Sequence, residues 1–495
     1  MRALVAVALS LCALSAVAAE PKAGLKFVVK IDPTQVGAKP ESGRVLVGIG
    51  PANGEPNFTN YRPPVLPILG ADADGFTADK SVTLDASSDV FPLNGLNAIP
   101  ADEYSVQAVF ATNPDINLPH VPGNRFCRPV KVQLDPAAGT TVTLTLDRGL
   151  GRLPVEPTES KTHKFLTLPS KLLSDFHGRP MFYRVAVILP PDFENEPNKK
   201  YGLVVNIGGF GTRYTDAAWI APDPRFIQIL PDGAGPYGDP YQVNSANNGP
   251  YGDALIQEVI PHIEKTYRCV GTPKTRFTCG ASTGGWVSFA LQVFYPDFFN
   301  GCWSQCPDSV TFERYELIDI YTDPNAYVNG FGFDRPGTRT PDGELISTVR
   351  HECQLERVLG RGGRWELSGR DWASWNAVYG PRGADGRPIP LWDGKSGAID
   401  KSVLDHWKKY DLKRVIEENW KTLGPKLAGG KVHIWVGDGD DYFLNAAVRR
   451  LKPAMAKLTD PKFDGTIVIE AGKGHMSGGW SRKQMLDAMA ARAGL

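Results

Sequence analysis

At 495 residues the chain is longer than one hydrophobic core supports, and two or three domains are expected. Lys plus Arg number 54 and so do Asp plus Glu, a balance that removes the basic surface of a nucleic-acid binder or membrane-surface protein. The expected partner is a small or neutral molecule, with no nucleic acid involved.

Met1-Arg2 leads into an apolar run from Ala3 to Val17 that closes with Ala16-Val17-Ala18-Ala19. A positive end, an apolar centre and a small-residue exit make up a secretory signal peptide, so residues 1–19 are expected to be removed and the protein exported, to the periplasm or beyond. Leu11 directly before Cys12 argues against a lipoprotein signal. No later run is apolar over the roughly 20 residues of a spanning helix, so no membrane span is expected. Six cysteines follow the signal: Cys127, Cys269, Cys279, Cys302, Cys306 and Cys353. An even number in an oxidising compartment predicts disulfides, with buried thiols as the alternative and the pairing unreadable. Cys302-x3-Cys306 has the spacing of half a metal site. No second Cys/His pair lies near it, and neither metal nor cofactor is expected.

Residues 20–153 are rich in Pro, Gly, Asn and Asp between short alternating runs: Leu25 to Ile31, Arg44 to Ile49, Tyr104 to Phe110, Val130 to Leu134 and Thr140 to Leu146. Strands at this spacing predict an all-β, sandwich-like domain. Gly70-Ala71-Asp72-Ala73-Asp74-Gly75 lacks the first acidic position and the closing Glu of a calcium loop, and it reads as a turn. Residues 154–164 read as a linker.

Over residues 165–495 strands alternate with helical stretches, the texture of an α/β fold with a mostly parallel sheet. Arg184 to Leu189, Leu203 to Ile207 and Phe226 to Leu230 read as strands. Asp253 to Tyr267 places apolar residues at 255, 256, 259, 260 and 263, the spacing of a helix face. Thr275 to Cys279 is a further strand, and Val432 to Val436 and Thr466 to Ile469 are two late ones. Between them, residues 309–430 form an insertion with Trp365, Trp372, Trp375, Trp392, Trp407 and Trp420, six of the chain's eleven tryptophans. It reads either as a subdomain with its own aromatic packing or as a lid lining the substrate pocket.

The chemistry centres on Gly280-Ala281-Ser282-Thr283-Gly284-Gly285. With a strand before it and an apolar helix after it, G-x-S-x-G is a nucleophile elbow that exposes Ser282. A serine hydroxyl needs a base within hydrogen-bond reach and an acid to orient that base, which in this fold follow in the order acid, then His. Of the later histidines, His433 lies inside an apolar strand, His406 in a helical stretch and His351 in a polar one. His475, in the glycine-bordered loop after Thr466 to Ile469, is the expected base. Gly437-Asp438-Gly439-Asp440-Asp441 closes the preceding strand and offers three carboxylates for the acid. The oxyanion is expected to be met by the backbone N–H of Thr283 and one from Gly208-Gly209-Phe210-Gly211, read as that of Phe210.

These residues resemble an esterase family of the α/β-hydrolase superfamily that includes esterase D (S-formylglutathione hydrolase), feruloyl and acetylxylan esterases and enterochelin esterase. The matching stretches are Val185 to Phe193, Tyr201 to Gly211, Glu258 to Arg268, the elbow, Gly437-x-x-Asp440, and Gly474-His475 with Trp480. The resemblance implies a serine carboxylesterase with Ser282 as nucleophile and His475 as base, and its Gly-x-x-Asp spacing selects Asp440 as acid, with Asp441 as the alternative. Gly208 stands where the family often has His, and Thr283 where many members have Met. The expected substrate is a small-molecule or carbohydrate-linked ester, such as an acetyl or feruloyl ester. The alternatives are a siderophore esterase, an exported peptidase or acyltransferase, and an inactive hydrolase fold that binds glycans. Oligomeric state is unreadable.

Overall fold

A computed structural model describes residues 24–36, 39–117, 121–149 and 157–495. The expected signal peptide and the first part of the expected linker lie outside the described residues.

Beyond residue 160 the apolar runs pair into one eight-stranded sheet. Its strands are β1 (His163–Ser170), β2 (Met181–Ile188), β3 (Gly202–Ile207), β4 (Phe226–Pro231), β5 (Arg276–Ala281), β6 (Cys302–Gln305), β7 (Val432–Gly437) and β8 (Thr466–Glu470). They lie in the spatial order β1-β2-β4-β3-β5-β6-β7-β8. β2 runs antiparallel to both its neighbours, and every other pair is parallel. Every residue of β3 and β4 is buried, as near-continuous apolar strands must be when both sheet faces are covered. The helix read over 253–267 spans Tyr251–Ala254, a π turn at Leu255–Val259 and Ile260–Thr266. Pro261, which has no N–H to give the preceding turn, sits at the start of that last piece.

The cysteines need revision. Cys302 to Gln305 form β6, a strand not read from the sequence, paired to β5 and β7 in the middle of the sheet. Among the described residues all six cysteines are free and buried, so the expected disulfides are not formed. Burial pushes the Cys279 thiol up to about 11 and that of Cys302 to about 12, which leaves both inert as nucleophiles. No helix among the described residues is long and apolar enough to cross a membrane.

The N-terminal residues form a three-stranded sheet of Ser81–Leu84, Lys26–Ile31 and Thr141–Leu146, and a seven-stranded one centred on Asp102–Ala111 and Glu41–Pro51. Alternating residues of each, Phe27, Val29 and Ile31 from the first and Val45, Val47, Val106 and Ala108 from the second, share one hydrophobic cluster. The acidic run 70–75 is not a turn. It lies within the strand Ile68–Phe76, because pairing to Glu41–Pro51, with Arg44 opposite Asp72 and Leu46 opposite Gly70, overrides its poor strand propensity.

The other face of the larger sheet is also covered. Leu46, Phe58, Ile68, Phe91 and Val109 pack with Leu355 and Val358 of a helix in the tryptophan-rich segment, Val349–Leu359. Arg44, 5% exposed, donates to the Val358 carbonyl from Nε (3.0 Å) and Nη2 (2.9 Å). The same guanidinium pairs with Asp72 (2.9 Å) and Asp89 (2.6 Å). Arg361 and the Gly362 N–H add bonds to Asp74 and Asp72. Charge-assisted hydrogen bonds of this kind contribute about 1.5–3 kcal/mol where they are shielded. Arg44→Met is therefore expected to lower unfolding free energy by about 2 kcal/mol, read as a shifted urea midpoint at unchanged slope; an unchanged midpoint would show that the contact contributes nothing.

Candidate active site

β5 ends at Ala281, and a helix, α1 (Thr283–Phe294), begins one residue later. Ser282 alone makes the turn, with φ 59° and ψ −125°. A non-glycine residue here is strained by about 1–3 kcal/mol, and the packing around it must hold it there. The flanking glycines show how. A Cβ on Gly284 would stand 2.2 Å from the Ile207 carbonyl of β3, and one on Gly280 would stand 2.6 Å from the Gly284 backbone. Only glycine lets α1 start this close to the sheet. The Ser282 N–H is fixed by the Gln305 carbonyl at the end of β6 (3.0 Å).

β7 and β8 deliver the other two groups. The ring Nδ1 of His475 lies 2.8 Å from Oδ2 of Asp440, which is fully buried. Oδ1 of the same carboxylate accepts from the N–H groups of Tyr442 (3.0 Å) and Leu444 (3.2 Å). With that carboxylate as acceptor, Nδ1 carries the proton and Nε2 is left free to accept one. Asp441 meets only the His475 backbone N–H, at 3.4 Å, and not the ring. Gly437 permits the approach, since a Cβ there would stand 2.2 Å from the Lys473 carbonyl of the histidine loop. Burial disfavours a charged imidazole, but the bond to the Asp440 carboxylate and the nearby Cys306 side chain outweigh it, so the His475 pKa is raised above its ordinary value.

Ser282, Thr283, Gly209, Phe210 and His475 line one cavity of about 300 Å³. The structure therefore brings together all the expected site residues except Asp441, with Asp440 reaching the cavity through His475. Thr283 opens α1, where the first N–H groups have no partner within the helix.

Several wall residues were not legible as such. Asp308, three residues past β6 and fully shielded, accepts from Tyr241 Oη (2.5 Å), Thr283 Oγ1 (3.1 Å) and Trp375 Nε1 (3.2 Å). Burial pushes its pKa up to about 6 despite these bonds. Its position just past a strand end was the available signal. Trp372 and Trp375 belong to a helix, α3 (Asp371–Tyr379), and both line the cavity. With Trp365, Trp392, Trp407 and Trp420 they also lie in the same hydrophobic cluster as the central sheet, so the tryptophan-rich segment shares the main core. Tyr61, from the N-terminal residues, also lines the cavity, and its neighbour Arg62 donates to Tyr442 Oη (3.0 Å). Nothing in the sequence around Tyr61 points to a site some 220 residues away.

A sheet in this order, antiparallel only around its second strand and carrying its serine after the fifth, places the chain among the α/β-hydrolases. The family model described as "Putative esterase" matches residues 180–451, more than half of the sequence, and the chain belongs to that family. It is an ester-hydrolysing enzyme. No curated protein matches the sequence. Among solved structures it is similar to an S-formylglutathione hydrolase from Agrobacterium tumefaciens, at 12% identity and TM-score 0.38 over 69% of this chain and 98% of that one. A fluorophosphonate-binding serine hydrolase of Staphylococcus aureus matches at 14% identity and TM-score 0.39, covering 67% and 98%. A ferulic acid esterase from Anaeromyces mucronatus matches at 15% identity and TM-score 0.30, covering 69% and 91%.

Removing the carboxylate that favours the imidazolium must lower the histidine's pKa. Asp440→Asn is thus expected to move the His475 ring titration downward, and Asp441→Asn to move it far less, as followed by histidine NMR across pH. Equal shifts in the two variants would contradict the pairing.

Proposed function

We propose that the protein is an exported serine carboxylesterase that works through an acyl-enzyme. Ser282 Oγ attacks the ester carbonyl as its proton passes to His475 Nε2, while Asp440 holds Nδ1–H and so fixes the tautomer and orientation of the ring. The tetrahedral oxyanion is met by the backbone N–H groups of Thr283 and Phe210. The C–O bond then breaks and the alcohol leaves with the proton from His475. Water attacks the acyl-enzyme by the same route, giving its proton to His475, and Ser282 recovers a proton as the acid departs. The observation that carries this reading is the 2.8 Å Asp440–His475 bond beside a serine held in strained backbone on the same cavity.

The substrate is read as a small-molecule or sugar-linked ester. Trp372, Trp375, Tyr61, Phe210 and Tyr442 on the cavity wall suit a sugar ring or an aromatic acyl group such as feruloyl, both of which stack on aromatic faces. We further propose that residues 20–153 form a sandwich-like domain that completes this cavity through Tyr61, in preference to acting as a detachable glycan-binding module.

Mature enzyme is expected to be labelled stoichiometrically by a fluorophosphonate and to hydrolyse nitrophenyl esters, with labelling abolished in Ser282→Ala. Asp440→Asn should lower kcat about 10⁴-fold. Because the base must be neutral, kcat/KM should rise with pH through an apparent pKa above 6.5. Folded wild type that takes no label would refute the proposal.

A further inference from the structure

More acidic than basic side chains line the cavity beside Ser282. Five carboxyl groups line it, from Asp308, Glu316, Glu352, Glu356 and Asp371, against two basic groups, the Arg370 guanidinium and the His475 imidazole. Arg370 lies 3.4 Å from Asp371, so its charge is already shared. Glu352 and Glu356, on α2 (Val349–Leu359), accept only from neutral donors: Glu352 Oε2 takes the Trp372 indole N–H (2.9 Å), and Glu356 takes the Trp372 backbone N–H (2.9 Å). Asp308 likewise bonds only to neutral groups. Among the described residues no Lys or Arg nitrogen lies within ion-pair distance of Asp308, Glu316, Glu352 or Glu356.

Glu316 differs from the rest. It is 3% exposed, it lines the cavity, and its Oε2 is shielded from solvent without a hydrogen-bond partner. Its backbone is in the left-handed region, φ 51°, where a non-glycine residue is uncommon. A shielded carboxylate oxygen with no donor costs several kcal/mol, and a positively charged hydrogen-bonding or close-packed group is the natural complement. Burial first, then the charges of Glu352, Asp371, Asp308 and Asp440, push Glu316 well above the usual carboxylate range. Such a group stays neutral until a positive charge is placed against it.

The walls fit the same occupant. Trp372 and Trp375 lie edge to face at 5.0 Å; Glu352 takes the first indole N–H, and the Tyr241 hydroxyl and Asp308 share the second. That fixes both rings and adds to the negative potential of their faces. The fixed indole of Trp375 and the unpartnered carboxyl of Glu316, on one cavity, together suit an organic ammonium, by charge and by cation–π contact.

Resting on the serine esterase reading, we propose that the enzyme selects esters bearing a positively charged ammonium group, in the acyl or the alcohol part, held by Glu316 in the cavity that Trp375 also lines. This narrows the substrate class from neutral esters to organic cations, amino sugars and aminoacyl groups among them.

Two matched pairs test it: the nitrophenyl esters of trimethylammonio-butyric acid and of its tert-butyl carbon isostere, and butyrylcholine with its tert-butyl isostere. The expected result is a preference of about tenfold or more in kcat/KM for the cationic member of at least one pair, on the scale of one buried cation–π contact. In Glu316→Gln the ratio of cationic to neutral kcat/KM should fall at least about fivefold, the loss of most of that contact. In wild type, tetramethylammonium should inhibit hydrolysis of a neutral ester competitively, a readout that does not depend on the variant folding. Equal or lower rates on both cationic members, or no inhibition by tetramethylammonium, would overturn the proposal while fluorophosphonate labelling of Ser282 left the esterase reading intact. Absence of labelling would refute that reading and this one with it.

Discussion

The site depends on one close approach, that of Gly284 to the carbonyl of Ile207. Any side chain at that position would push α1 away from β3, and Ser282 would relax out of its strained turn. The strain at Ser282 is held by backbone contacts alone: its N–H on Gln305, its carbonyl receiving the Trp286 and Asp308 N–H groups. The serine is thereby positioned by three strands, β3, β5 and β6, at the rigid centre of the sheet. Asp440 and His475 arrive from β7 and β8 on the same edge. A catalytic group set on such a frame needs little reorganisation when charge develops.

A second dependence runs through α2. One face of this helix gives Leu355 and Val358 to the N-terminal sheet, and its Val358 carbonyl accepts twice from Arg44. The other side gives Glu352 and Glu356 to Trp372 and the first turn of α3. Carboxylates at a helix N-terminus are favoured there by the unpaired N–H groups, so the docking of α2 also fixes α3 and with it the two cavity tryptophans. The N-terminal residues thus shape the cavity twice, directly through Tyr61 and indirectly through α2. The acidic stretch at 70–75 has its physical reason in the same contact: Asp72 and Asp74 meet Arg44, Gly362 and Arg361.

What could be read in the sequence was local. The apolar runs of β3, β4 and β7 are continuous because both faces of those strands are buried, and they were legible to within a residue or two. The elbow, the Gly437-x-x-Asp440 turn and the His475 loop were legible because each places a specific residue type at a strand end, where backbone geometry demands glycine. β6 was not. Its four residues, Cys302 to Gln305, are too few to show a period, and two cysteines drew attention to redox and metal chemistry instead. The strand at 68–76 was hidden by Gly and Asp, whose turn preference loses to pairing with a long neighbouring strand.

The sequence by itself therefore determined the class of chemistry: a serine, a base and an acid in the order this sheet requires, together with the α/β frame that presents them. Tertiary structure alone decided which carboxylate meets the imidazole, since Asp440 and Asp441 are neighbours and only the path of the turn separates a 2.8 Å ring contact from a backbone one. It also decided the pocket. Tyr61, Glu316 and Trp372 are far apart in the chain and carry no common motif, and they meet because α2 is clamped between the N-terminal sheet and α3. Reactive groups are set by short-range backbone rules that leave a trace in sequence. A cavity is set by long-range packing, which does not.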